Sequence, residues 1–302
     1  MVVLDSLLDQ FRVKPGKKLK LSDHDPSWHG DSDQSKSEKK ALAEDRLEED
    51  VAQLAAAQDL LYASDSWSLL VVFQAMDAAG KDGTIKHVMS GVNPQGVQVM
   101  SFKAPSAEEI DHDYLWRCHK ALPERGRIGI FNRSYYEEVL VVRVHPELIA
   151  RQRIPGTEAG PKLWQQRYGE IRDFERYLSH NGTAIVKFFL NVSKEEQRKR
   201  FLERIHEPEK NWKFSLGDVE ERKHWDEYQQ AYEDCLEATS TDDAPWYVVP
   251  ADYKWVTRSV VSRILVNTIQ SLNLKYPEIS ASQRTALQEA GKALEAEAKV
   301  KK

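Results

Sequence analysis

The sequence predicts an α/β fold, in which a mostly parallel sheet of about five strands lies between two layers of helices as a three-layer α/β/α domain. Short continuous apolar runs such as residues 68–73 (SLLVVF) are typical of strands buried on both faces. Helical stretches of more than about ten residues separate these runs, which is long enough for the right-handed crossovers that connect parallel strands.

Each element follows from its own pattern. Strands are predicted at residues 68–73, 97–102, 127–131, 183–190 and 246–249. Helices are predicted at about residues 37–62, from 81 onward, from 106 through 116, and at about 163–178, 193–205, 218–238 and 255–272. Capping boxes that begin at Ser106 and Ser193 mark two of the helix starts. The tail beyond Pro277 is predicted to be either an exposed helix or disordered.

The chain is predicted to divide into three parts. Residues 14–45 are rich in Lys, Ser, Asp and Gly, so residues 1–45 are expected to form an N-terminal arm over the surface. Residues 46–275 are expected to form the α/β domain, with a lid at about residues 205–222, and residues 276–302 to form a polar tail.

Composition argues against several classes of protein. The 302 residues are 41% hydrophobic and 30% charged, as in globular proteins, and the net charge of −5 argues against nucleic acid as a partner. Cys118 and Cys235 form neither a disulfide framework nor a metal pair, which favours a reducing compartment. Because no apolar run is long enough for a signal peptide or a membrane span, a cytoplasmic location without membrane contact is expected.

A glycine-bearing turn joins the first predicted strand to a helix within VVFQAMDAAGKDGTIKHV, residues 71–88. Free backbone N–H groups and the positive helix end point toward an anion in such a turn, and the Lys81 ammonium can reach the outer phosphates. The stretch departs twice from the P-loop pattern G-x-x-x-x-G-K-[ST], since Ala75 replaces the first glycine and Asp82 the hydroxyl residue that binds Mg²⁺. The alternative is a plain turn with an exposed lysine; the position after the first strong strand favours phosphate binding.

Asp77 lies inside this predicted phosphate site. A carboxylate there repels its ligand unless a cation lies between them, so Asp77 indicates metal or proton chemistry. It either binds Mg²⁺, directly or through water, or takes a proton from an incoming phosphate, and both roles stay open.

A second polar group follows the third predicted strand, at Asn132 and Arg133. Asn132 can coordinate a metal through its carbonyl or bind a metal-bound water. Arg133 leaves the carboxyl end of a parallel strand, where ligands of open α/β sheets bind, and its planar fork suits phosphate oxygens. The alternative for Arg133 is an ion pair with Glu137 or Glu138.

A third group lies between the last two predicted strands. Arg200 and Arg204 are four residues apart and therefore share one helical face. In phosphoryl-transfer kinases this insert is usually a lid that closes over the phosphates and excludes water. The alternative is an ordinary charged helix in solvent, because acidic and basic residues are about equally frequent here.

Four segments in order resemble the polyphosphate kinase 2 family, P-loop kinases that move phosphate between inorganic polyphosphate and nucleotides. They are QAMDAAGKDGTIKHV, FNRSYYEEVLVVRVHPE, EQRKRFLERIHEPEKNWKFSLGD and APWYVVPAD, and the resemblance runs from about residue 13 to 272. It implies a P-loop kinase-like fold with a helical lid, Mg²⁺ as cofactor, and a homo-oligomer, either dimer or tetramer. The run that begins at Asn132 is similar to the subgroup that phosphorylates both AMP and ADP.

The resemblance also implies roles for individual residues. Catalysis is assigned to Asp77, Lys81 and Arg133; polyphosphate binding to Ala79, Gly80, Lys81, Asp82, Gly83, Thr84, Arg200, Arg204 and Lys213; nucleotide binding to Asn132, Arg133 and Glu137; and metal binding to Asp77 and Asn132. Many members have Asp where this sequence has Asn132, so a direct metal role there is open.

The predicted function is Mg²⁺-dependent, reversible transfer of phosphate from polyphosphate to AMP or ADP. Two other functions use the same residues. One is an ATP-dependent nucleoside monophosphate kinase of the thymidylate kinase type, and the other is a module that binds polyphosphate or nucleotide without catalysis. Because Asp77 and Lys81 are both present, the sequence argues against the second of these.

Overall fold

The computed structural model describes residues 8–30 and 34–300, and its centre is a five-stranded parallel sheet in the order β2-β3-β1-β4-β5. The strands are β1 (Ser68–Gln74), β2 (Val97–Ser101), β3 (Ile128–Asn132), β4 (Thr183–Asn191) and β5 (Trp246–Pro250). The predicted α/β fold with a parallel sheet of about five strands is therefore confirmed.

Helices cover both faces of the sheet. They are α1 (Lys36–Ser64), α2 (Lys81–Val88), α3 (Ala107–Ile110), α4 (Trp116–Lys120), α5 (Val141–Val144), α6 (Ile149–Gln152), α7 (Pro161–His180), α8 (Lys194–His206), α9 (Leu216–Glu221), α10 (Trp225–Thr239), α11 (Lys254–Ser271) and α12 (Ala281–Val300). One layer is formed by α1, α2 and α11, whereas α7 and α10 pack in the other.

Two predicted helices are shorter than expected. The helix predicted from Ser106 begins there with a complete capping box but ends at Ile110, and α4 follows as a separate helix. The helix predicted at residues 218–238 is divided into α9 and α10 by a 3₁₀ turn, Arg222–His224. The second break lies at the end of the predicted lid.

A buried ionic network fixes the chain just after β3. Lys187 on β4 is fully buried, and its Nζ lies 2.6 Å from Glu175 Oε2 on α7. Tyr135 and Tyr136 donate their hydroxyls to Glu175 Oε1 at 2.8 and 2.7 Å, and Lys187 also donates to the carbonyl of Thr239. The network therefore ties the turn after β3 to β4, α7 and the end of α10.

The N-terminal segment covers one edge of the sheet. Val13 donates its N–H to the carbonyl of Trp246, and Val248 donates to the carbonyl of Phe11, at 2.9 and 2.8 Å. The side chains of Phe11 and Val13 are buried against the core. Helix α1 begins at Lys36, inside the predicted arm of residues 1–45, and residues 1–7 and 31–33 of that arm lie outside the described chain. The division into arm, domain and tail stays a prediction.

Beyond Pro277, helix α12 is exposed along its described side chains, as in the first of the two predicted alternatives for the tail. Among residues 8–30 and 34–300, no helix combines the length and the apolar character needed to cross a bilayer.

Candidate active site

The loop between β1 and α2 lies at the carboxyl edge of the sheet and borders a cavity of about 700 Å³. Ala78 and Gly80 both have left-handed backbone conformations, with φ of 61° and 107°. Side chains rarely adopt the conformation of Gly80, which explains the glycine directly before α2. The turn directs the start of α2, with its free N–H groups, toward the cavity.

Lys81 is held inside this turn. Its Nζ donates to the carbonyls of Ala75 and Met76 at 2.9 and 3.5 Å, and the residue is only 9% exposed. The alternative of a turn with an exposed lysine therefore does not fit. Burial lowers the pKa of Lys81, and the neighbouring Arg133 lowers it further, although nearby carboxylates oppose this shift.

Arg133 faces Asp77 at the carboxyl end of β3. Its Nη2 donates to Asp77 Oδ1 at 2.5 Å, and its Nη1 lies 3.6 Å from Glu137 Oε2. The negative charges of Glu137 and Asp77 raise the pKa of Arg133, so the group stays cationic. Arg133 thus makes the predicted ion pair with Glu137 and also lines the cavity, whereas Glu138 pairs with the buried Arg167 instead.

Asn132 donates its amide to Asp82 Oδ1 at 2.6 Å, so the end of β3 orients the carboxylate that follows Lys81. Asp77, Asp82 and Asn132 all line the cavity. Within the described part of the chain, no group of three or more His, Cys, Asp or Glu side chains is arranged to hold a metal by itself.

Arg200 on α8 holds the backbone of residues 75–80, the loop between β1 and α2 that is called the phosphate loop below. It is 5% exposed, and its Nε donates to Glu196. Its remaining donors reach the carbonyls of Ala78, Ala79, Ala251 and Asp252 at 2.6–3.1 Å. These backbone oxygens occupy the guanidinium of Arg200 in the free protein. The contact of Arg200 with polyphosphate therefore stays a prediction.

The predicted capping box at Ser193 is only half formed, because Arg200 engages the glutamate that would complete it. Ser193 accepts the N–H of Glu196, but the Glu196 carboxylate pairs with Arg200. Asp252 accepts the N–H of Ser193 in its place.

Arg204 and Lys213 lie in the predicted lid, which consists of the end of α8, the 3₁₀ turn Pro208–Lys213 and α9. Arg204 donates to the carbonyl of Lys213 and to Asp218 at 3.2 and 3.1 Å. The Nζ of Lys213 lies 5.0 Å from the ring centre of Trp212, which is 79% exposed at the cavity border. Arg204 therefore joins the two ends of the lid.

The cavity brings together nearly all of the predicted site residues. Those that line it are Asp77, Ala79, Gly80, Lys81, Asp82, Gly83, Thr84, Asn132, Arg133, Arg200, Arg204 and Lys213. Glu137 does not line it, but lies behind Arg133 and accepts from Gln74 at 2.7 Å. Lys210 of the lid also lines the cavity, and the sequence interpretation missed three further cations outside the lid, Lys103, Lys254 and Arg258. No motif marks them; their positions after β2 and β5, at the ligand edge of the sheet, were the available signal.

A glycine turn at the start of α2, a buried lysine directly after it and a lid with basic residues define a P-loop kinase, whose chemistry is phosphoryl transfer. The chain belongs to the polyphosphate kinase 2 family, since the pattern of the family described as Polyphosphate kinase 2 (PPK2) matches residues 35–277.

Individual relatives agree with this assignment. The chain is 54% identical over 279 residues to an ADP-polyphosphate phosphotransferase from Rhodopseudomonas palustris, covering 92% of this chain and 95% of the relative. It is 47% identical over 274 residues to an AMP/ADP-polyphosphate phosphotransferase from Meiothermus ruber, covering 90% and 96%. The crystal structure of Polyphosphate Kinase 2 from Arthrobacter aurescens superposes with a TM-score of 0.82 at 40% identity, covering 93% of this chain and 96% of that one.

Proposed function

We propose that this protein transfers a phosphate group from inorganic polyphosphate to AMP or ADP, giving ADP or ATP, in a reversible reaction that uses Mg²⁺. The observation that carries the proposal is a phosphate loop bordered by cations from separate segments of the chain, including Lys103, Arg133, Lys213 and Arg258. Two relatives with the names ADP-polyphosphate phosphotransferase and AMP/ADP-polyphosphate phosphotransferase support it.

In this reaction the protein positions the two substrates and neutralises the negative charge of the transferred phosphate. Phosphoryl transfer passes through a loose transition state whose charge is spread over three equatorial oxygens. Lys81 would neutralise this charge from the loop and Arg133 from the end of β3, while the N–H groups at the start of α2 bind the phosphate. The acceptor phosphate is already largely ionised at neutral pH, so Asp77 has no need to deprotonate it.

The cavity also offers ligands that fit Mg²⁺. This ion is usually held by one or two carboxylates, while substrate phosphates and waters complete its shell. Asp77 and Asp82 would hold it, and Asn132 would orient the Asp82 carboxylate through the amide hydrogen bond. When bound, Mg²⁺ would offset the charge of the donor phosphates.

A direct assay tests the function. The purified protein is incubated with AMP or ADP, Mg²⁺ and either polyphosphate or ATP, and the nucleotides are separated by chromatography. We expect ADP and ATP to form with polyphosphate as the donor. Product with ATP alone would indicate the ATP-dependent kinase, and polyphosphate binding without product would indicate a non-catalytic module.

We further propose a cytoplasmic location and a dimeric or tetrameric assembly. The buried, unpaired thiols of Cys118 and Cys235 suit a reducing compartment. Light scattering of the purified protein would measure the assembly, and a monomer at assay concentration would contradict it.

A further inference from the structure

Helix α8 holds three consecutive carbonyls of the phosphate loop. Gln197 donates its Nε2 to the carbonyl of Asp77 at 2.9 Å. Arg200, one turn further along α8, donates to the carbonyls of Ala78 and Ala79. Gln197 is 1% exposed and does not line the cavity. Its amide therefore acts on the backbone of the loop and not on a substrate.

The loop depends on such donors because part of its backbone is strained. Ala78 has a φ of 61°, a left-handed conformation that residues other than glycine adopt only at a cost. A residue keeps this conformation only when its surroundings hold it there. Asp77 directly precedes Ala78, and its carboxylate accepts from Arg133 at the cavity. A shift of the loop backbone would therefore displace the Asp77 carboxylate.

Arg222 determines which end of the Gln197 amide faces the loop. Its Nη1 donates to Gln197 Oε1 at 2.6 Å and to the carbonyl of Lys194 at 2.8 Å. Because a guanidinium only donates hydrogen bonds, the amide oxygen must face Arg222, which leaves the amide nitrogen for the Asp77 carbonyl. Without Arg222 the amide would be free to turn over, and two oxygens would then face each other.

Arg222 lies where the lid ends. It begins the 3₁₀ turn Arg222–His224, which joins α9 to α10. The preceding residue, Glu221, accepts from the Tyr228 hydroxyl at 2.6 Å and lies 2.9 Å from Nε2 of His145. Two adjacent residues therefore fix the end of the lid, since Glu221 contacts the segment after β3 and Arg222 contacts α8.

We propose that Gln197 and Arg222 are positioning residues that couple the lid to the phosphate loop. A displacement of the lid end would withdraw Arg222, release the Gln197 amide and loosen the carbonyl of Asp77. The loop would then hold the Asp77 carboxylate in place only while the lid end is seated against α8. This proposal rests on the proposed function, in which Asp77 acts beside the phosphates.

Three variants test the coupling. Gln197→Met removes both ends of the amide at similar size, Gln197→Glu keeps the acceptor for Arg222 but removes the donor to Asp77, and Arg222→Met removes the distant end. We expect each variant to lower kcat roughly 10- to 100-fold, because small displacements of a site residue are costly to the reaction. The KM for polyphosphate should change less than about threefold, because neither residue touches a substrate.

Two readouts separate this role from a general loss of stability. The double variant Gln197→Met/Arg222→Met should lose no more activity than Gln197→Met alone, because Arg222 acts through Gln197. Arg222→Met should also raise the hydrogen exchange rates of residues 75–80 roughly three- to tenfold and leave those of β4 unchanged, although Arg222 does not contact the loop. Mass spectrometry of the ligand-free protein measures the exchange.

Arg198→Met is the matched control. Arg198 is the next residue on α8 after Gln197, is exposed, pairs with Glu195 and does not line the cavity. Its removal takes an arginine from the same region without touching the amide. The control should therefore leave both kcat and the hydrogen exchange of residues 75–80 unchanged.

Three results would overturn the coupling while the proposed function stands. They are additive losses of activity in the double variant, wild-type turnover in Gln197→Glu, and wild-type exchange of residues 75–80 in Arg222→Met. If the Gln197 variants do not fold, Arg222→Met decides by itself, because its side chain is only half-buried. If the wild type transfers no phosphate from polyphosphate, the proposed function fails, and the exchange measurements still show whether Arg222 acts on the loop.

Discussion

The Arg133 guanidinium donates a hydrogen bond to the Asp77 carboxylate, with Nη2 and Oδ1 2.5 Å apart. Asp77 comes from the phosphate loop and Arg133 from the end of β3, and the two side chains are 25% and 37% exposed. A phosphate that approaches Arg133 therefore competes with Asp77, and a metal ion that approaches Asp77 competes with Arg133. Bound phosphate would free Asp77 for the metal ion, and a bound metal ion would free Arg133 for phosphate. We therefore expect phosphate and Mg²⁺ to bind cooperatively.

Asp77→Asn should lower kcat by roughly 100-fold and raise the Mg²⁺ concentration needed for the half-maximal rate, because the carboxylate that we propose as a metal ligand is lost. Without Mg²⁺, the Kd for polyphosphate should not rise, since Arg133 loses a competing negative charge. Rate measurements over a Mg²⁺ titration and metal-free binding measurements check these outcomes. An unchanged Mg²⁺ requirement would exclude Asp77 as a metal ligand.

Lys81→Met should lower kcat by roughly 10²- to 10⁴-fold, because the positive charge that we propose for the transferred phosphate is lost. Its Tm without ligand should equal or exceed that of the wild type, because the variant no longer buries a cation beside Arg133. Assays and thermal denaturation of the two proteins measure both effects. Near-normal turnover would show that Lys81 does not act in the reaction.

The pH profile should also report on Lys81. Because burial lowers the pKa of Lys81, kcat/KM should fall as the pH rises through that lowered pKa, below the ordinary lysine value of 10.5. Bound phosphate favours the charged lysine, so kcat should persist to higher pH. For stability the sign is opposite: between the two pKa values the unfolded chain binds more protons, so this group's contribution to the free energy of unfolding rises with pH. The same alkaline decline in Lys81→Met would assign it to another group.

Arg200→Ala should lower the free energy of unfolding by about 2–4 kcal/mol and also reduce kcat. Two carbonyls of the phosphate loop, two carbonyls after β5 and the Glu196 carboxylate would all lose their donor. Arg204→Ala on the next turn is the matched comparison and should cost less than about 1 kcal/mol, because its contacts are partly solvated. Chemical denaturation gives both values. An unchanged stability with weaker polyphosphate binding would favour the phosphate contact that the sequence predicts for Arg200.

Glu175→Leu should destabilise the fold by about 3–5 kcal/mol, because Lys187 then has no counter-charge in the core. The double variant Glu175→Leu/Lys187→Met removes both charges and should recover part of that loss. Denaturant unfolding of the single and double variants measures the coupling. A double variant that is no more stable than Glu175→Leu would show that the tyrosine hydroxyls, and not the charge, determine the cost.

Local patterns were sufficient for the sheet and for the phosphate loop. The five predicted strands correspond to the observed ones within two residues at each end. Four of them are buried on both faces and need continuous apolar sequence, whereas the edge strand β2 (VQVMS) is partly exposed and was recognised from a mixed pattern. Gly80 and Lys81 were predicted from a motif whose physical basis, a positive φ followed by a helix start, is itself local.

The same local patterns do not predict which side chains from distant segments come into contact. Helical spacing showed that Arg200 and Arg204 share a face, but not that the loop carbonyls lie against Arg200. Likewise, Lys254 and Arg258 became site residues only when the sheet order placed the start of α11 beside the lid. The short helices between β3 and α7 were also unpredicted. Gln152, the last residue of α6, is held by Glu138 and Arg167, and such distant partners leave no local pattern.

The backbone bonds of Phe11 and Val13 with β5 have a further consequence for handling the protein. A shortened chain that lacked this segment would leave the outer strand with unpaired amides and carbonyls in water. Bare strands of this kind pair readily with one another, so such a truncation would promote self-association and precipitation rather than a simple loss of heat tolerance.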